Sequence, residues 1–135
     1  MGDLVRKVNL APLSTEGDVS GKVRTWNALI DTGATVTIVP RSFLKRWDCV
    51  KGLPVRLGRG LYPTVILAVC LDGPNCRPHV LSVAVSTRHA SKALPHAEMI
   101  LGHDYLQRER GLIAYTDEGH QVGCIPYRRR KHRFE

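Results

Sequence analysis

Ala28-Leu29-Ile30-Asp31-Thr32-Gly33-Ala34-Thr35-Val36-Thr37-Ile38-Val39 runs from an apolar stretch through a carboxylate and a turn of small residues into further β-branched residues. The flanks have the composition of strands. Asp31 therefore stands at a strand end that would ordinarily be buried, where an uncompensated carboxylate costs several kcal/mol. It has to be paired, hydrogen-bonded or neutralised, and chemistry is one reason to keep it there. Gly33 lets the backbone turn tightly and approach a ligand or a second chain, Ala34 leaves room above it, and Thr32 offers a hydroxyl to backbone. The same three residues also suit a plain strand-to-turn junction, because Asp and Gly are common in turns.

The rest of the chain is also strand-like, with a period closer to two than to 3.6 and explicit turn residues between runs. Strands are expected at Leu4 to Leu10, Lys22 to Ile30, Thr37 to Val39, Pro54 to Leu57, Thr64 to Leu71, Val80 to Ser86, Met99 to Leu101, Leu112 to Tyr115 and Gln121 to Ile125. Two short segments read as helix. Pro40 introduces Arg41 to Trp47, with Phe43, Leu44 and Trp47 on one face. His103 to Arg110 has Asp104 in its first turn, Arg108 and Arg110 in its last, and Gly111 to close it.

The second informative segment is Met99-Ile100-Leu101-Gly102, an apolar strand ending in glycine that leads straight into His103-Asp104-Tyr105-Leu106. Together, the apolar-Asp-Thr-Gly-Ala pattern and the later apolar-apolar-Gly-helix pattern resemble the retropepsin-like aspartic proteases. The resemblance spans roughly Lys22 to Leu112. It implies a mainly β, acid-protease (retropepsin-like) closed β barrel with a flap hairpin and one short C-terminal helix, the second segment packing behind the aspartate loop. Asp31 would be the catalytic residue, Thr32 and Gly33 its support. Ala34, Thr35, the flap residues Leu57, Gly58, Arg59 and Gly60, and Ile100 would contact substrate. The flap tip is expected at Gly58-Arg59-Gly60, with Val55, Leu57, Leu61 and Tyr62 beside it.

This chemistry needs two carboxylates sharing one proton, and the chain has a single Asp-Thr-Gly; Asp18, Asp72, Asp104 and Asp117 lack the following Ser/Thr-Gly. An active enzyme is thus expected to be a homodimer with an Asp31 from each copy at the twofold axis, cleaving an extended peptide or protein substrate without metal or cofactor. Many viral members carry an acid after the Ala and a base after the second Gly, a pair that braces their dimer. Thr35 and His103 occupy those positions here, so that bracing does not carry over.

With 135 residues, 43% of them apolar, the chain can bury one core. Residues 1–126 are expected to form the protease domain and 127–135 a basic tail. No run approaches a membrane span and the first residues lack a secretory signal, which points to a cytoplasmic protein without membrane association. The net charge is +8, and Tyr127 to Glu135 holds five bases and one acid, half of that excess. Nucleic-acid binding through the tail is an alternative, as is a non-catalytic dimerisation or peptide-binding module on the same fold. Four cysteines without a leader are expected to be reduced thiols, and Cys70, Cys76 and His79 lack the paired spacing of a zinc site. Pro95 interrupts the even spacing of His89, His96 and His103, which leaves them as surface or loop residues.

Overall fold

The computed structural model describes residues 5–45, 47–86, 97–109, 111–116 and 119–124. Ten strands are present among them: β1 Val5–Pro12, β2 Arg24–Ile30, β3 Ile38–Pro40, β4 Val55–Leu57, β5 Gly60–Tyr62, β6 Thr64–Leu71, β7 His79–Ser86, β8 Met99–Leu101, β9 Gly111–Thr116 and β10 Gly119–Cys124. A single α-helix, α1, covers His103–Glu109. The architecture is mainly β with one short helix, as expected from the sequence.

Six strands close into a barrel in the order β1-β2-β8-β3-β7-β6, with β6 pairing back onto β1. Closure removes the free edges that an open sheet would have to protect. Alternation along the strands decides which side chains face the interior. On β6, Val65, Leu67, Val69 and Leu71 are buried, whereas Ile66, Ala68 and Cys70 between them are partly exposed. Val8, Leu10, Ala28, Ile30, Val39, Leu81, Val83, Val85, Met99 and Leu101 belong to the same core, as do Phe43, Tyr105 and Leu106. Full burial of each large aliphatic side chain contributes roughly 1.5–3 kcal/mol.

β4 and β5 form a separate two-stranded hairpin, and β9 and β10 another. The expected helix after Pro40 is instead a 3₁₀ turn over Arg41–Leu44. Trp47 N–H then bonds to Leu44 O at 3.0 Å, again three residues back. Phe and Ser are weak helix formers and so short a segment cannot repay helix nucleation, so packing decides its form. Phe43 is buried with its ring stacked on Trp26, centroids 3.6 Å apart.

Helix α1 packs against β7 and β9. Tyr105 is fully buried; its hydroxyl donates to Arg77 O at 2.8 Å and accepts from Leu71 N–H at 3.0 Å, tying the helix to β6 and to the segment before β7. Glu109 is also fully buried and meets His79 Nε2 at 2.5 Å. The cysteine expectation needs correction: Cys76 is disulfide-bonded, while Cys49 and Cys70 are free thiols. Residue counts carry no information on which sulfurs meet in space.

Candidate active site

Asp31 directly follows β2, and the sheet explains its position. β8 inserts between the two halves of the aspartate segment, pairing parallel with β2 (Leu29 opposite Ile100, Ile30 opposite Leu101) and antiparallel with β3 (Ile38 opposite Ile100). Asp31 N–H continues this ladder by donating to Leu101 O at 3.0 Å. The chain then folds back on itself: Gly33 N–H donates to Asp31 Oδ1 at 2.9 Å and Ala34 N–H to Asp31 O at 3.2 Å. A backbone donor therefore orients one carboxylate oxygen. A Cβ at Gly33 would lie 3.2 Å from that same oxygen, so glycine keeps the contact unstrained.

Gly102 accounts for the closeness of the two segments. A Cβ there would sit 2.5 Å from the carbonyl carbon and oxygen of Val36 and 2.9 Å from Ala34 O, all of them backbone atoms. Next to it, His103 N–H donates to Ala34 O at 2.7 Å. The buried Thr37 hydroxyl accepts from Gly102 N–H at 3.2 Å and donates to Asp104 Oδ1 at 2.8 Å, while Thr37 N–H donates to Asp104 Oδ2 at 3.0 Å. Asp104 Oδ1 also accepts from Tyr105 N–H at 2.8 Å, satisfying a donor that the first helical turn would otherwise leave open. The aspartate loop is thus clamped from behind by β8, Gly102 and the start of α1. The sequence reading places Asp104 in the helix's first turn but misses its bond to Thr37.

On the front of the loop, Thr32, Gly33 and Thr35 are exposed, and Asp31 and Ala34 partly so. The expected buried carboxylate is therefore half-open on its own chain. Ile100 is partly exposed at the middle of β8, between the buried Met99 and Leu101.

The flap hairpin differs in detail from expectation. Leu57 pairs with Gly60, so Gly60 already belongs to β5 and the tip is the two-residue turn Gly58-Arg59. Gly58 has φ 58°, the positive value that a II′-type hairpin turn takes at its first central position. Alternation puts Val55, Leu57, Gly60 and Tyr62 on one face and Arg56 and Leu61 on the other, which is the exposed one. Leu57 and Tyr62 share a face; Leu61, grouped with them in the sequence reading, does not.

His79 spends its ring nitrogen on Glu109, and no group of metal-ligating side chains forms among the described residues. No described helix is long and apolar enough to cross a membrane. His89, His96 and the basic tail lie outside the described residues.

A closed barrel with a clamped, outward-facing Asp-Thr-Gly loop and a separate hairpin is a retropepsin-like fold. No family model and no curated protein sequence matches the chain. Among solved structures it is similar to EIAV protease complexed with the inhibitor HBY-793, at 19% identity and TM-score 0.48, over 78% of this chain and 86% of that one. It is also similar to the retroviral protease-like domain of Ddi1 from Leishmania major, at 16% identity and TM-score 0.49, over 93% of this chain and 96% of that one.

Proposed function

We propose that the chain is an aspartic endopeptidase whose active site forms when two copies bring their Asp31 loops together. Residues 1–126 form the peptidase domain and 127–135 a basic tail. The observation that carries this reading is the Asp31-Thr32-Gly33 loop: rigidly backed, open to the front, and present once in the chain. A rigid backing is what catalytic geometry requires, and a single copy requires a partner.

In the dimer the two carboxylates share one proton. The ionised one takes a proton from water, which attacks the scissile carbonyl, while the neutral one donates its proton to the carbonyl oxygen. Collapse of the tetrahedral intermediate breaks the C–N bond, the amine leaving with a proton from the dyad. Thr32 braces the loop across the interface. Gly33, Ala34 and Thr35 line the floor, with Ile100 and the flap residues Leu57, Gly58, Arg59 and Gly60 around an extended substrate.

The test is cleavage of an unfolded protein at mildly acid pH, with and without pepstatin, by the wild type and by Asp31→Asn. Pepstatin-sensitive cleavage that falls by about 10³ or more in the variant supports the reading. Equal activity in both proteins refutes it. A stable dimer with no cleavage by the wild type reassigns the chain as a non-catalytic dimerisation or peptide-binding module.

A further inference from the structure

The two roots of the flap help to frame a groove of about 480 Å³. Pro54, just before β4, and Pro63, just after β5, are exposed along it and half-buried Leu44 adds apolar surface, with the core residues Val65 and Val85 beneath. Arg41 and Lys45, from the 3₁₀ turn and its C-terminal cap, line it together with Lys51, whose backbone bridges to Val65. All three cations are exposed, and no acidic side chain lines the groove.

Several basic residues elsewhere among the described residues are engaged. Arg108 donates to Val80 O, Arg6 to Val5 O, and the Arg24 guanidinium lies 6.0 Å from the centre of the Trp47 ring. Among the described residues, Arg41, Lys45 and Lys51 have no ion pair and no side-chain hydrogen bond. Three like charges gathered around one apolar depression repel one another, and an anionic occupant turns that repulsion into attraction.

We propose that this groove docks an acidic peptide segment in which carboxylates alternate with apolar side chains. The apolar groups rest on Leu44 and the two prolines, and Arg41, Lys45 and Lys51 meet the carboxylates. A simple inorganic anion would leave the apolar surface unused. A nucleic-acid strand is the poorer fit because no aromatic side chain lines the groove to stack a base. The inference does not depend on the chain being a peptidase.

The test is fluorescence anisotropy of the full-length protein with a short fluorescein-labelled peptide of alternating Glu and Leu. A Lys/Leu peptide and a single-stranded oligonucleotide of matching charge serve as comparisons. The acidic peptide should bind in a salt-sensitive way and the comparisons should not bind at the same concentration. Combining Arg41→Ala with Lys45→Glu and Lys51→Glu should weaken binding by about tenfold or more, with the melting temperature unchanged because these side chains are exposed. Amide resonances of Gly52 and Thr64, which also line the groove, should shift on peptide addition. Undiminished binding by the variant, shifts confined to the basic tail, or oligonucleotide binding of equal strength through the same three residues would each overturn the proposal.

Discussion

Thr37→Val removes one hydroxyl and almost no volume, and it should be among the most damaging conservative changes in the chain. The hydroxyl is buried, donates to a carboxylate oxygen of Asp104 at 2.8 Å and accepts from Gly102 N–H at 3.2 Å. A hydrogen bond to a charged group contributes about 1.5–3 kcal/mol, and a buried N–H left without an acceptor costs about 1–3 kcal/mol. The two effects act on one small cluster and are not additive, so about 3 kcal/mol is expected, or a fall of about 10 °C in melting temperature for a domain of this size. Urea unfolding at fixed protomer concentration should show a lower midpoint with an unchanged slope. Thr37→Ser keeps the hydroxyl and should recover most of the loss. A destabilisation below about 0.5 kcal/mol, or equal damage from the serine variant, would refute the account of how the aspartate loop is held.

Gly102→Ala places a methyl 2.5 Å from the Val36 carbonyl, which is backbone and cannot swing aside; about 3 kcal/mol of stability should be lost in urea unfolding. Tyr105→Phe strips the buried Leu71 N–H of its acceptor and should cost about 2 kcal/mol by the same measurement. Burial pushes the Tyr105 phenol well above its ordinary 10.0 and the Cys49 and Cys70 thiols above 9.0. The fold thus favours the protonated forms, and in alkali the unfolded chain gives up these protons first. Stability should be full below about pH 9 and decline as pH rises through the ordinary thiol and phenol values towards the raised folded ones, with a shallower decline in Tyr105→Phe. Urea midpoints that do not change between about pH 8 and about pH 11 would contradict this.

Much of the fold is legible in the sequence because strand patterning is local. Thr64–Leu71 and Met99–Leu101 match their expected limits, β2, β4 and β7 differ by a residue or two at one end, and β3 is displaced by one residue at both. Asp31 stands out because a carboxylate at the end of an apolar run needs a reason. The structural support is harder to read. Thr37 and Asp104 are 67 residues apart, and neither a threonine in a strand nor an acid at a helix start calls attention to itself. The same holds for Tyr105 and for the buried Glu109, which looks like an ordinary surface acid near a helix end. The sequence alone puts the flap tip over Gly58-Arg59-Gly60 because both glycines suit a turn, and only the pairing of Leu57 with Gly60 assigns Gly60 to β5. The 3₁₀ turn at Arg41–Leu44 shows tertiary packing overruling a helical pattern.

The insertion of β8 between β2 and β3 also has a consequence for how the protein is made. During synthesis both flanks of the aspartate segment leave the ribosome long before residues 99–104, which must later slot between and behind them. Non-local pairing of this kind is slow, because the intervening chain must be closed before the contact can form. The last part of the centre to be assembled is thus its scaffold, and a nascent or truncated chain ending before Met99 carries Asp31 without the means to hold it.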